Sequence, residues 1–259
     1  MAYLVSEANL ERQKLLAKVL NPATDRLLSV LQLPSETNCL DLGCGIGETT
    51  RYLAERINDS GEITGIELNP DLVNAAREMS SGQRNKISFR QGDVTRLEFA
   101  DNSFDFVHAR FLLMHLPEPE AVLKEMLRVS KPGGVVAVTE PDFSFQRCYP
   151  DTWAFERIAD LFGKLFPDPF IGRKLWSLFQ NLDYGSAGVL VYALVETNEN
   201  DLRRIYRMTI EAMEQGLIEK GIISEQEFEG VCEEMKRVEQ EKNTLCIGCN
   251  VFTAWAVKS

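Results

Sequence analysis

The chain has 259 residues, 44% hydrophobic and 26% charged, with a formal net charge of -11 at neutral pH. Those proportions suit a folded protein with a full core, and the acidic balance argues against a nucleic-acid surface, which recruits an excess of Lys and Arg over the binding face. No apolar run is long enough to span a bilayer and the opening MAYLVSEANLERQ lacks a basic-then-apolar signal pattern, so a cytoplasmic protein is expected.

In chain order, Ser6 can cap a helix over Glu7 to Leu20, and Asn21-Pro22 is expected to end it and start another through Leu31. From Asn38 the pattern turns into strand and helix alternation. The stretch Asn38 to Thr50, NCLDLGCGIGETT, reads as a short apolar strand, glycines at 43, 45 and 47, and the start of a helix. Glycine lacks a Cβ, so such a turn takes special dihedrals and lets a ligand lie against backbone amides at the helix N-terminus. Strands are expected over Cys39 to Leu42, Glu62 to Ile66, Ile87 to Arg90, Ser103 to His108 and Val135 to Thr139, with helices from Glu48 and from Asn69-Pro70. Strands separated by helices imply right-handed crossovers and a mainly parallel sheet covered on both faces. Beyond Pro141, helices are expected over Trp153 to Phe166 and Arg173 to Leu182, and a sixth strand over Gly188 to Val195. A helix over Asp201 to Glu219, a second opened by the capping box Ser224-x-x-Glu227, and an apolar strand over Leu245 to Val257 follow. Six cysteines in a chain of this size read as reduced thiols. Cys246 and Cys249 form a C-x-x-C with no second pair or nearby His, which favours small residues on an apolar strand over a zinc or redox site.

Candidate site residues recur at the carboxyl ends of successive strands, where one ligand would touch them all. Asp41 ends the first. Glu67 ends the second, 20 residues after Gly47, where an acid can accept from both hydroxyls of a ribose. Gly92-Asp93-Val94 follows the third; Asp93 can accept from an exocyclic amine and Val94 can donate its amide, which suits adenine. Ala109 and Arg110 follow the fourth and would meet whatever extends beyond the ribose. Each acid alone also fits a loop or a helix cap. His108 shares a strand face with Phe104 and Phe106 and reads as structural. His115 is a candidate base or a packing residue, and Glu140 and Asp142, just past the fifth strand, are alternative bases or acceptor anchors.

Over Leu40 to Thr139 the sequence resembles the class I S-adenosylmethionine-dependent methyltransferases. LDLGCGIG looks like the family's first motif, GIELNP its ribose-binding acid, GDV its adenine-binding turn, and LKEMLRVSKPGG the helix and turn before the fifth strand. The likeness is to small-molecule methyltransferases of the ubiquinone/menaquinone-biosynthesis type. It implies an α/β fold with a Rossmann-like seven-stranded mainly parallel sheet and an antiparallel last strand, to which the residue pattern adds N-terminal helices and a helical insertion between the last two strands. It implies S-adenosylmethionine as cofactor: Asp41, Gly43, Cys44, Gly45 and Gly47 toward its methionine part, Glu67 and Leu68 at the ribose, and Gly92, Asp93 and Val94 at the adenine. A G-x-G-x-G spacing disfavours a dinucleotide-binding dehydrogenase, which wants G-x-G-x-x-G. A non-catalytic binding protein of the same fold is the alternative. The absence of an N-P-P-Y-like run disfavours nucleic-acid-base or glutamine acceptors, leaving a small molecule methylated by in-line displacement. No metal is assigned and the oligomeric state stays open.

A single domain is expected: a helical cap over 1–34, the cofactor-binding core over 35–145, helices over 146–186, a helical insertion over 197–243 and a closing strand over 244–259. The cap either closes over the cofactor, with Tyr3 or Gln13 near its methionine end, or only docks onto the domain. The insertion either packs or forms a lid. As a lid, Tyr206, Met213 and Phe145 would face an apolar acceptor cavity.

Overall fold

The computed structural model describes residues 6–34, 36–57, 61–82, 86–197 and 201–259. Helix α1 spans Glu7–Val30, with Ser6 Oγ accepting from the Asn9 amide at 3.2 Å. It is one helix where two were expected, and Pro22 lies inside it. An interior proline costs about 3 kcal/mol. Here the apolar stripe does not stop at the proline: Ala17 and Leu20 before it and Ala23 and Leu27 after it are all buried, while Pro22 itself is exposed. Packing on both sides offsets the missing hydrogen bond.

Next come β1 (Cys39–Leu42), α2 (Glu48–Ile57), β2 (Glu62–Glu67), α3 (Pro70–Met79), β3 (Lys86–Gln91), β4 (Phe104–Arg110), α4 (Pro119–Val129) and β5 (Ser130–Asp142). Asn69 caps α3, its Oδ1 accepting from the Asp71 amide at 2.9 Å, with Pro70 in the first turn. β1 pairs parallel with β2 on one side and β4 on the other, β2 with β3, and β4 with β5. The strand order therefore reverses between β1 and β4, which opens a crevice above their carboxyl ends. Both sheet faces are covered. Phe106, Val135 and Ala137 pack with Leu27 and Leu53 on one side; Val107, Ala109, Val136 and Val138 pack with Val122 and Met126 on the other.

The second half adds β6 (Arg147–Tyr149), α5 (Trp153–Leu165), α6 (Leu175–Gln180), β7 (Ser186–Glu196), α7 (Asp201–Glu211), α8 (Glu214–Glu219), α9 (Glu225–Val238) and β8 (Leu245–Val257). β8 runs antiparallel between β5 and β7, and β6 pairs with its first residues. The sheet has eight strands rather than seven because of the three-residue β6. The helix expected over Asp201 to Glu219 is broken: the Met213 amide bonds to the Ile210 carbonyl at 3.0 Å, tightening the last turn of α7 and redirecting the chain into α8. The stripe Leu202, Ile205, Tyr206, Thr209, Met213 and Leu217 is buried throughout. The Tyr206 ring lies 5.5 Å from Phe155 and 5.1 Å from Phe162, and its Oη accepts from the Cys249 amide at 2.9 Å. Packing against α5 and β8 accounts for this stripe. No helix among the described residues is long and apolar enough to cross a membrane.

Candidate active site

Gly43, Gly45 and Gly47 take φ of 66°, 54° and 80°, the left-handed region that side chains with a Cβ avoid. Space is short as well. A Cβ on Gly45 would stand 2.6 Å from Gln13 Oε1, and one on Gly47 would stand 2.5 Å from the Phe89 ring. The loop is pinned by the Cys44 amide on the Ile66 carbonyl at 3.0 Å and the Gly47 amide on the Cys44 carbonyl at 2.8 Å. Arg51 on α2, which sequence reasoning passed over, also holds it by donating to the Ile46 carbonyl at 2.9 Å. Its only sequence trace is an acid three residues earlier, Glu48, to which it pairs at 2.6 Å.

Glu67 leaves β2 with its carboxylate over this loop: Oε2 accepts from the Gly45 amide at 3.1 Å and Oε1 from the Asn69 amide at 3.0 Å. From α1, Gln13 Oε1 accepts from the Ile46 amide at 3.4 Å. Tyr3 lies outside the described residues. The Gly92 amide donates to the Glu67 carbonyl at 3.0 Å, which sets the third strand's turn beside the second. Asp93 Oδ1 accepts from the Thr95 hydroxyl at 2.7 Å and amide at 2.8 Å, and these bonds hold its carboxyl below the usual range. Val94 is buried under that turn, whereas Leu68 is 65% exposed. The structure thus gathers Gln13, the glycine loop, Glu67, Leu68 and the Gly92–Val94 turn along the carboxyl ends of β1, β2 and β3.

Three other candidates are directed elsewhere. Asp41 is 1% exposed, its Oδ2 accepting from the Thr50 hydroxyl at 2.7 Å and its Oδ1 lying 3.1 Å from His108 Nδ1. This pairing gives His108 the structural place expected of it. Arg110 donates to Asn21 Oδ1 at 3.2 Å and Thr24 Oγ1 at 3.1 Å, clamping α1 to β4, and burial lowers its guanidinium to about 10. Ala109 is fully buried. A strand covered on both faces turns alternate side chains into one layer or the other, and these three lie in the layers. Cys44 is buried beside the loop, and burial pushes its thiol well up.

Past β4, Phe111 takes a φ of 55°, an outlier for a bulky residue, and its amide donates to the Thr139 carbonyl at 2.8 Å. That sharp exit leads into a 3-10 turn over Leu113–His115. Glu140 holds the turn: its carboxyl accepts from the Leu112, Leu113 and Met114 amides at 2.8, 2.6 and 3.4 Å. Complete burial outweighs these bonds and lifts it to about 8. Asp142 accepts from the Ser144 hydroxyl at 2.8 Å and pairs with Arg173; against the raising effect of burial, these partners keep its carboxyl low. His115 meets the Phe166 ring edge-on at 5.2 Å, and burial, aided by positive charge including that of Arg12, lowers it to about 4. Phe143 stacks on Phe166 at 5.5 Å and meets Phe162 at 5.1 Å. This aromatic group beside His115 was not legible in the sequence, because Phe143 lies in the turn after β5 while Phe162 and Phe166 lie at the end of α5. Among the described residues, no group of three or more His, Cys, Asp or Glu could hold a metal ion.

Residues 40–138 match the family described as a methyltransferase domain. The matched segment runs from β1 into β5 and includes the glycine loop, Glu67, the Gly92–Val94 turn and the Phe111 exit. A demethylmenaquinone methyltransferase of Bacillus licheniformis is 35% identical over 150 residues, 56% of this chain and 63% of that protein, so the chain spans less than two thirds of this relative's length. Among solved structures, the YcgJ protein of Bacillus subtilis matches with a TM-score of 0.61 at 15% identity, covering 90% of this chain and 97% of its own. Phosphoethanolamine N-methyltransferase 2 of Haemonchus contortus, solved with phosphomonomethylethanolamine and S-adenosylhomocysteine, matches with a TM-score of 0.58 at 19% identity, covering 92% of this chain and 52% of its own. At these identities the two structures show a shared fold with this chain.

Proposed function

We propose that the protein is an S-adenosylmethionine-dependent methyltransferase acting on a small, largely apolar acceptor. The observation that carries this reading is Glu67, whose carboxylate stands between the Gly45 and Asn69 amides at the rim of a loop of left-handed glycines. The cradle fits the cofactor: the glycines leave bare backbone where a methionine part would lie, and an acid at the end of β2 suits a ribose diol. When bound, S-adenosylmethionine supplies an electrophilic methyl group. In this reading Gly43–Gly47 and Gln13 orient its methionine part, Glu67 and Leu68 its ribose, and Gly92–Val94 its adenine.

The chain's remaining task is placement, since an in-line displacement requires an aligned acceptor in a dry site. Phe143, Phe162 and Phe166 supply apolar surface beside His115. His115, lowered to about 4, is neutral at neutral pH and a weak base. Glu140 and Asp142 spend their oxygens on the turns that shape the acceptor side, which makes them positioning residues. Demethylmenaquinone, the acceptor named in the Bacillus licheniformis relative, is the first acceptor to test. Incubation with methyl-labelled S-adenosylmethionine and demethylmenaquinone, with a metabolite extract in parallel, is expected to yield labelled product and S-adenosylhomocysteine. Tight cofactor binding with no labelled product in either arm would favour a binding protein of the same fold that transfers nothing. A thermal shift with NAD and none with S-adenosylmethionine would overturn both readings.

A further inference from the structure

Two cysteines 98 positions apart meet where β6 joins β8. The strands pair antiparallel with Arg147 opposite Ile247, Cys148 opposite Cys246 and Tyr149 opposite Leu245. Directly opposed residues of an antiparallel pair point to one face with Cα atoms about 4.5–5.5 Å apart, inside the roughly 4.4–6.8 Å that a disulfide bridges. The two sulfur atoms lie 3.4 Å from each other. No change of backbone is needed to join them.

Access is unequal. A crevice of about 310 Å³ opens between β6 and the start of α5, lined by Gln146, Cys148, Asp151, Thr152, Phe155 and Glu156 among others. Cys148 is 7% exposed and lines it, whereas Cys246 is fully buried behind. The thiols also differ in acidity: the hydrogen bond between them lowers Cys148 and raises Cys246, while the Arg203 guanidinium favours the thiolate of either. The outer sulfur is the nucleophile and the inner one waits within reach.

We propose that Cys148 and Cys246 form an oxidation site at which a small hydroperoxide reacts with Cys148 and the pair then closes to a reversible disulfide. In the first step the Cys148 thiolate attacks one peroxide oxygen; a sulfur–oxygen bond forms, the oxygen–oxygen bond breaks, and hydroxide leaves. In the second, Cys246 attacks the sulfur of that sulfenic acid; the disulfide forms and water leaves. Two electrons pass from the thiols to the peroxide. The bond staples β6 to β8 and closes a loop of nearly a hundred residues, restricting the unfolded chain.

The test is intact-mass analysis of the native protein titrated with hydrogen peroxide. A loss of about 2 Da is expected, mapped to a Cys148–Cys246 linked peptide and reversed by dithiothreitol, with the oxidised form melting several degrees above the reduced form. In Cys246→Ser, the same peroxide is expected to leave a sulfenic acid on Cys148 that dimedone traps. Cys148→Ser is expected to give neither linkage nor adduct at that dose. The proposal is overturned if other cysteines oxidise first in the native wild type, if the linkage forms only in denaturant, or if Cys148→Ser loses the same mass at the same rate. Should either variant fail to give a native circular dichroism spectrum, the wild-type linkage map alone decides.

Discussion

Replacing Glu140 separates a buried neutral acid from a buried charge. In Glu140→Ala the amides of Leu112, Leu113 and Met114 lose their acceptor, and at 0% and 4% exposure Leu113 and Met114 sit where water cannot replace it. A buried donor left unpaired costs about 1–3 kcal/mol, so with the lost packing the variant is expected to lose about 3–5 kcal/mol. Glu140→Gln keeps an oxygen for the two shorter bonds and is expected to cost about 1 kcal/mol. The pH dependence carries the sharper test. Burial lifts the carboxyl from 4.5 to about 8, so over that window the folded form holds a proton that the unfolded chain releases. Its contribution to stability is full below pH 4.5 and is lost as pH rises through about 8, at up to about 1.4 kcal/mol per pH unit. Glutamine does not titrate, so the variant is expected to have a flatter profile. Urea unfolding at about pH 5, 6.5 and 8 measures both. Identical pH profiles for the wild type and Glu140→Gln would mean that the folded carboxyl is ionised, and the reasoning fails.

Glu67→Ala is expected to weaken S-adenosylmethionine binding by about 1.5–3 kcal/mol, the worth of hydrogen bonds to a charged group, read by calorimetry; an unchanged affinity would remove Glu67 from the site. Gly45→Ala places a Cβ at a φ of 54° and 2.6 Å from Gln13 Oε1, so a loss of about 1–2 kcal/mol in stability and of cofactor affinity is expected. An unaltered melting temperature with full affinity would show that the loop yields freely. Tyr206→Phe strips the acceptor from the buried Cys249 amide and is expected to destabilise by about 1–3 kcal/mol while leaving cofactor affinity as it was. A cofactor-affinity loss without destabilisation would place Tyr206 at the ligand.

Strands β1 and β8 lie where the sequence puts them because each is a dense apolar run with a clear break before it: Asn38 before β1, and the charged Glu239–Asn243 stretch before β8. β6 offers no such signal, since its three residues include exposed Arg147 and Tyr149. The single α1 was hidden by the usual meaning of an Asn-Pro pair, which tertiary packing overrides. That Glu67 would meet the glycine loop was legible because both lie at the carboxyl ends of neighbouring strands, and the structure brings Gln13 of α1 to the same loop. The inward direction of Asp41 and Arg110 was not legible. On a strand buried on both faces, no alternation of polar and apolar residues records which way a side chain points. The partners of Glu140 were equally hidden, being backbone amides 26 to 28 residues earlier.

The place of β8 between β5 and β7 bears on how the chain is made. A ribosome releases segments in order, so β1 to β5 emerge and can pair among themselves while one whole edge of β5 stays open. β7 then emerges with no neighbour, because its partner strand is synthesised after α7, α8 and α9. Until β8 slides into the gap, two sets of unpaired strand amides and carbonyls are presented together, an arrangement that invites capture by another nascent chain. Insertion of β8 closes both of those edges, and a chaperone that shields the β5 edge during that interval is expected to raise the yield of native protein without touching its final stability.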